Sequence, residues 1–292
     1  MTDRRRCAFL TMANPEGYII DDELAEGPLG ALGWQVDMMP WDDEAVDWGR
    51  YDAVVVRSPW DYHHRPDDFL AVLDAIVEAG VPLENDLELV RWNLRKTYLR
   101  ELEGRGVPIT PTLWRPRLAA GQLEDLFAEL TETEIVVKPV IAASAEGAFR
   151  LDRESLHRSQ GEVEDYFSSR ALMAQPLARS VLDEGEYSLF YFDGEFSHAV
   201  LKTPGQADFR TQEEHGGTAK HSQPEDQLLT TGAETVAALP SVPLYARVDL
   251  VRANGGGGFW LMELELIEPA LYLRMDPEAP GRFARALDAR MR

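Results

Sequence analysis

Leu244-Tyr-Ala-Arg-Val-Asp-Leu-Val-Arg-Ala-Asn-Gly-Gly-Gly-Gly-Phe-Trp-Leu-Met-Glu-Leu-Glu-Leu-Ile-Glu-Pro269 is the stretch on which the reading of this chain turns. Two apolar runs, Leu244 to Arg252 and Phe259 to Ile267, flank Ala253-Asn254 and four consecutive glycines, which predicts an antiparallel hairpin. Residues two apart on a strand face the same side, so Glu263 and Glu265 share a face, and Asp249 comes from the partner strand. Converging carboxylates of this kind suit Mg²⁺, with phosphate oxygens and waters completing its octahedron. A zinc site would more often supply His or Cys, and the chain holds no HxxxH or CxxC pattern. Alternation with Leu264 and Leu266 also fits a solvated face on a half-buried strand. The neighbouring Arg247 and the opposed Asp249 favour the metal reading.

Upstream, the basic residues sharpen this picture. Of 29 Lys and Arg, only four are lysines, and Lys96, Lys138 and Lys202 fall in segments where a nucleotide triphosphate needs a compact ammonium; Lys220 has no such place. Lys138 closes the apolar run Glu134-Ile-Val-Val and precedes Pro139 and the small-residue loop Ala142-Ala-Ser144-Ala-Glu-Gly147. Small side chains let backbone N–H groups approach an anion. No GxxxxGK[ST] run occurs, so this is not a Walker loop. Arg57-Ser58-Pro-Trp60-Asp61-Tyr62, at the end of a predicted strand, is a substrate-site candidate or, equally, a capped turn with Arg57 paired to Asp61.

From the start to about Asn93, runs at 7–12, 34–40 and 53–56 alternate with helix-like stretches at 21–32 and 67–79, predicting a parallel sheet covered by helices. A helix over 93–103 carries Lys96 into a second unit, with strands at 109–114, 134–140 and 148–151 and a helix at 118–130. A third unit opens with a strand at 172–177. It continues as a hairpin through Asp193-Gly194 and the carboxylate hairpin, with a closing helix at 277–292. The expected division is 1–93, 94–172 and 173–292, an α/β protein, α+β overall. The formal charge of −22 and pI near 4.6 argue against nucleic acid or anionic membrane as partners. No apolar run approaches the roughly 20 residues of a membrane span. The lone Cys7 reads as a small buried residue, and a reducing cytoplasm is expected.

The order of these pieces resembles the ATP-grasp superfamily, in its glutathione-synthetase and RimK-like branch, over essentially the whole chain. Asn93-Leu-Arg-Lys96, Val-Val-Lys138-Pro, Gln175-Pro176-Leu177, Gly185-Glu186 and the carboxylate hairpin follow one another as in that family. The resemblance implies an N-terminal parallel α/β domain, a small central lid and a C-terminal, mostly antiparallel sheet domain. It implies that Lys96 and Lys138 hold ATP, the backbone of Gln175, Pro176 and Leu177 reads the adenine edge, and Glu186 holds the ribose. It places Mg²⁺ on Asp249, Glu263 and Glu265, with glutamate where the family usually has asparagine. Its glycine-rich loop is depleted here, leaving Ser144 to donate to phosphate. Lys202 and Arg210, in a segment ending His215-Gly216-Gly217, would face the transferred phosphoryl group.

Arg57-Ser-Pro-Trp-Asp-Tyr62 together with Glu263-Leu-Glu-Leu-Ile-Glu-Pro269 is similar to the group that includes the D-cycloserine-forming cyclo-ligase, in which an O-ureido-serine carboxylate is activated and closed onto its own nitrogen. The implied activity is ATP-dependent ligation of a small amino-acid-like carboxylate with an amine through an acyl phosphate, closed within one molecule. Arg57, Ser58, Trp60 and Asp61 are then the expected substrate residues. The alternatives are an intermolecular amino-acid or peptide ligase and an ATP-binding regulatory protein without turnover. A homodimer is left open.

Overall fold

Strands β1 (Arg5–Thr11), β2 (Trp34–Pro40), β3 (Ala53–Ser58) and β4 (Leu83–Glu84) form a parallel sheet in the order β2-β1-β3-β4. The computed structural model describes residues 4–142, 146–205, 210–213 and 216–292. The Ala53-Val-Val-Val run is buried along its length, as expected of a strand covered on both faces. Helices α1 (Glu26–Ala31), α2 (Pro66–Glu78), α3 (Leu87–Asn93) and α4 (Tyr98–Gly104) complete the first part of the chain.

The second sheet holds β5 (Leu113–Arg115), β6 (Glu134–Pro139), β7 (Phe149–Asp152) and β8 (Leu172–Pro176), ordered β5-β8-β6-β7 with every pair antiparallel. Helices α5 (Leu123–Leu130) and α6 (Gln160–Phe167) pack on it through Phe127, Val163 and Phe167, which form a core of their own with Ile135 and Val137. A division between 172 and 173 would cut β8, which is hydrogen-bonded within this sheet.

After the short helix α7 (Arg179–Asp183), β9 (Glu186–Phe192), β10 (Glu195–Thr203), β11 (Thr218–Ser222), β12 (Tyr245–Arg252) and β13 (Phe259–Glu265) make the third sheet, ordered β11-β10-β9-β12-β13, all antiparallel. Asp193 and Gly194 both take positive φ, which a two-residue turn between twisted strands requires. Helices α8 (Asp226–Ala237) and α9 (Ala279–Arg290) cover this sheet. The first and third sheets share one core: Cys7, Phe9 and Trp34 pack with Phe190, Tyr245 and Phe283. Burial pushes the Cys7 thiol far up, in keeping with an inert packing residue.

Several sequence expectations shift. The helix expected over 93–103 is interrupted: α3 stops at Asn93, whose side chain bonds the main chain of β13, and α4 starts at Tyr98. Lys96 lies in the break, its N–H donating to Val140 C=O at 2.8 Å. The helix expected over 118–130 starts only at Leu123, because Gly121, at φ +82°, interrupts it. The stretch 21–32 is a single 3₁₀ turn followed by the short α1. Helices α6 and α8 go beyond the elements expected. Among the described residues no helix is long and apolar enough to cross a membrane.

Candidate active site

The β12–β13 hairpin forms the floor of a cleft, with Asp249 opposite Glu263 and Arg247 opposite Glu265. One carboxylate oxygen from each of Asp249, Glu263 and Glu265 lies within 4.8 Å of the others. The face that could have been simply solvated therefore lines the cleft. Three cations hold these acids together. Arg247 forks Asp249 at 2.9–3.1 Å and also reaches Glu265; Lys202 of β10 lies 3.4 Å from Asp249 and pairs with Glu186; Lys96 pairs with Glu263.

Strand β13 is an edge strand, and polar side chains from α3 and α4 occupy its main-chain groups. Asn93 donates to Leu264 C=O at 3.0 Å and accepts from Leu266 N–H at 2.9 Å, and Tyr98 OH accepts from Leu264 N–H at 2.9 Å. The same contacts fix the α3–α4 break that delivers Lys96. Asn85 clamps the other strand, donating to Tyr245 C=O and Leu266 C=O at 2.8 Å each and accepting from Leu244 N–H at 2.6 Å. Burial would raise Asp249, but Arg247 and Lys202 hold it at about 2. Glu265 is pushed up to about 7 by burial, opposed by Arg247 and assisted by the neighbouring Glu263 and Asp249.

The central sheet supplies the facing wall. Lys138 of β6 points into the cleft, and among the described residues no acid lies within 4 Å of it; burial lowers its pKa. Lys202 and Arg210 also line the cleft. Ser144 and His215 lie outside the described residues. Gln175, Pro176 and Leu177 are buried and line the cleft, Gln175 donating to Thr112 Oγ1 at 2.9 Å. Leu177 N–H is already donated to Glu134 C=O at 3.1 Å and Pro176 has none, so the next backbone donor is that of Ala178, which also lines the cleft. Glu186 is buried beside Lys202, with Thr211 Oγ1 3.5 Å from its free oxygen.

The Arg57–Tyr62 segment divides. Arg57, Ser58 and Asp61 do not line the cleft, a correction to their expected role. Arg57 is fully enclosed, bonded to Asp22 at 2.9 Å and to Pro269 C=O at 2.9 Å, and Asp61 accepts from Trp41 Nε1 at 2.8 Å rather than pairing with Arg57. Arg57 thereby fastens the turn after β13 to β3. Trp60 does line the cleft, its Nε1 donating to Glu268 C=O at 2.7 Å and its ring 5.2 Å from that of Tyr18. Tyr62, the last residue of that candidate segment, stands there too, as does Glu268, which was quoted only within its stretch of sequence. Arg247 also belongs to the site, and its signal was its position two residues before Asp249 on the same strand face.

Comparison with known proteins agrees with this architecture. Residues 7–85 match the family model described as D-cycloserine synthetase DcsG, N-terminal domain. The cycloserine biosynthesis protein DcsG of Streptomyces lavendulae is 34% identical over 281 residues, covering 89% of this chain and 90% of that one. The crystal structure of D-cycloserine synthetase DcsG superposes with a TM-score of 0.87 at 29% identity, over 98% of this chain and 100% of that one. The ATP-grasp ligase PsnB, crystallised with a phosphomimetic precursor variant, Mg and ADP, gives 0.68 at 16% identity over 99% of both chains, a likeness of fold.

Proposed function

Since the chain belongs to the ATP-grasp ligases, in the group of D-cycloserine synthetase DcsG, we propose that it uses ATP and Mg²⁺ to activate the carboxylate of a small amino acid and close it onto a nitrogen of the same molecule. The observation that carries this reading is the pairing, across one cleft, of three converging carboxylates with a lysine that has no acid partner among the described residues. The acids suit Mg²⁺: all donors are hard oxygens, and their present counter-charges are side-chain cations that a divalent ion supplants without moving the strands. Asp249, Glu263 and Glu265 would hold Mg²⁺, whose charge would offset that of the transferring phosphoryl group.

The chain's own groups do the rest. Lys138, Lys202 and Arg210 hold the phosphates, Glu186 faces the ribose, and the 175–178 linker, with Ala178 N–H as donor, borders the base. A carboxylate oxygen of the acid attacks the γ-phosphorus and ADP leaves. The nitrogen then attacks the acyl carbon of the resulting acyl phosphate, and inorganic phosphate leaves. Arg247, fixed by Asp249 and Glu265, presents a guanidinium to the oxygen on which negative charge develops.

The test is incubation with ATP, Mg²⁺, a panel of amino-acid-like acids and hydroxylamine. Hydroxamate formation is the expected result. ATP binding with no ADP release across the panel, with or without hydroxylamine, points instead to a regulatory nucleotide-binding protein, and a product joining two substrates points to an intermolecular ligase.

A further inference from the structure

Counting charges around the cleft leaves one acid over. Among the described residues lining it, Glu146 pairs with His63, Glu186 with Lys202, Glu213 with Arg274, Glu263 with Lys96 and Glu265 with Arg247. Glu268 lines the same cleft, is only 9% exposed, and has no lysine, arginine or histidine within 4 Å among the described residues. A buried carboxylate without a cation is costly, and burial, with the neighbouring Glu265, pushes Glu268 up to about 8; a cationic ligand supplies the charge that ionises it.

The surroundings say which charge. Trp60 anchors the main chain of Glu268, Tyr62 lines the cleft with it, and Tyr18 packs on Trp60. All three aromatic side chains line the cleft. A carboxylate bordered by aromatic rings suits a primary ammonium, which pairs with the acid while the rings shield it from water. Glu268 follows Glu265 by three residues, so the site adjoins the proposed metal acids. An α-amino acid carries its ammonium one carbon from its carboxyl and fits such neighbouring sites.

We infer that Glu268, supported by Trp60 and Tyr62, binds the α-ammonium of the amino-acid substrate and sets the preference for amino acids over otherwise identical acids. This rests on the ligase reading above. The Arg57–Asp22 and Arg57–Pro269 bonds then explain why an enclosed arginine stands behind the site: they hold the turn that carries Glu268.

The experiment compares O-ureido-serine with its analogue lacking the α-amine, on the unaltered protein and on Glu268→Gln, by ADP release and by equilibrium titration of each acid in the presence of Mg²⁺ and a non-hydrolysable ATP analogue. The unaltered protein is expected to favour the amine by roughly 10- to 100-fold. In E268Q the KM for the amino acid rises by about that factor, the KM for ATP stays within about twofold, and the two acids converge. The thermal midpoint of unliganded E268Q at pH 7 is expected to stay close to that of the parent, since burial already favours the neutral form of Glu268. Equal losses for both acids, or no change in the preference, overturn the inference while leaving the ligase reading intact. An unaltered protein that releases no ADP with any acid overturns the ligase reading, and the titration still decides whether Glu268 discriminates the amine.

Discussion

On the floor of the cleft charges are paired within the protein, and on its wall a lysine is not. On the floor, Asp249, Glu263 and Glu265 are each matched by Arg247, Lys202 or Lys96, and the sheet that carries the acids shares a core with the N-terminal sheet. On the wall, Lys138 has no acid partner among the described residues and sits in a sheet with its own core. The floor therefore holds its geometry without ligand, and ligand binding there exchanges one set of counter-charges for another. On the wall, Glu263, Glu186 and Asp249 act on Lys138 only from beyond ion-pair distance.

Four substitutions or conditions separate the two regions, in descending order of expected effect. Glu263→Ala removes a floor acid and should lower kcat for ADP release by roughly 10³-fold or more; turnover near the parental rate would remove the metal reading. Lys202→Ala strips Glu186 and Asp249 of a buried cation, and should destabilise the protein by about 3–5 kcal/mol in denaturant melts. An unchanged midpoint would show that the floor is not held by its internal pairs.

The third concerns the shared core. His198, held at about 4 by burial despite its contact with Leu271 C=O at 3.0 Å, lies against Phe190. The unfolded chain takes a proton near 6.5 while the folded one stays neutral, so stability is full above about pH 6.5 and is lost as pH falls toward 4, by up to about 3 kcal/mol. Denaturant midpoints across that range should show the loss, and His198→Asn should flatten it. The smallest effect belongs to the wall: Lys138→Arg should raise the KM for ATP roughly 10- to 100-fold, because a planar fork replaces a point charge. It should leave the unliganded melting temperature nearly unchanged, since no pair is broken; full activity in this variant would undo its assigned role.

The carboxylate hairpin was legible because period-two alternation places Asp249, Glu263 and Glu265 by itself, and the structure puts them within 4.8 Å. The first sheet was legible from apolar runs alternating with helix-like stretches, and Asp193-Gly194 marked the β9–β10 hairpin without tertiary information. Long-range pairing was not. Arg57 looked like a partner for the nearby Asp61 but bonds Asp22 and Pro269, 35 and 212 positions away. Helix propensity runs unbroken through 93–103, whereas Asn93 and Tyr98 are recruited by β13, 171 and 166 positions away in its pairs with Leu264, and the helix breaks at Lys96. Glu268 was quoted with its neighbours but could not be singled out, because an acid's lack of a partner is visible only when every cation nearby has been placed.

The most direct test of the account is to incubate the full chain with ATP, Mg²⁺ and O-ureido-serine, measuring ADP and the mass of the organic product together. The account expects one ADP for each molecule of product whose former carboxyl carbon is bonded to its own nitrogen. Bound ATP with no ADP released, with this acid and with the wider amino-acid panel, would contradict it.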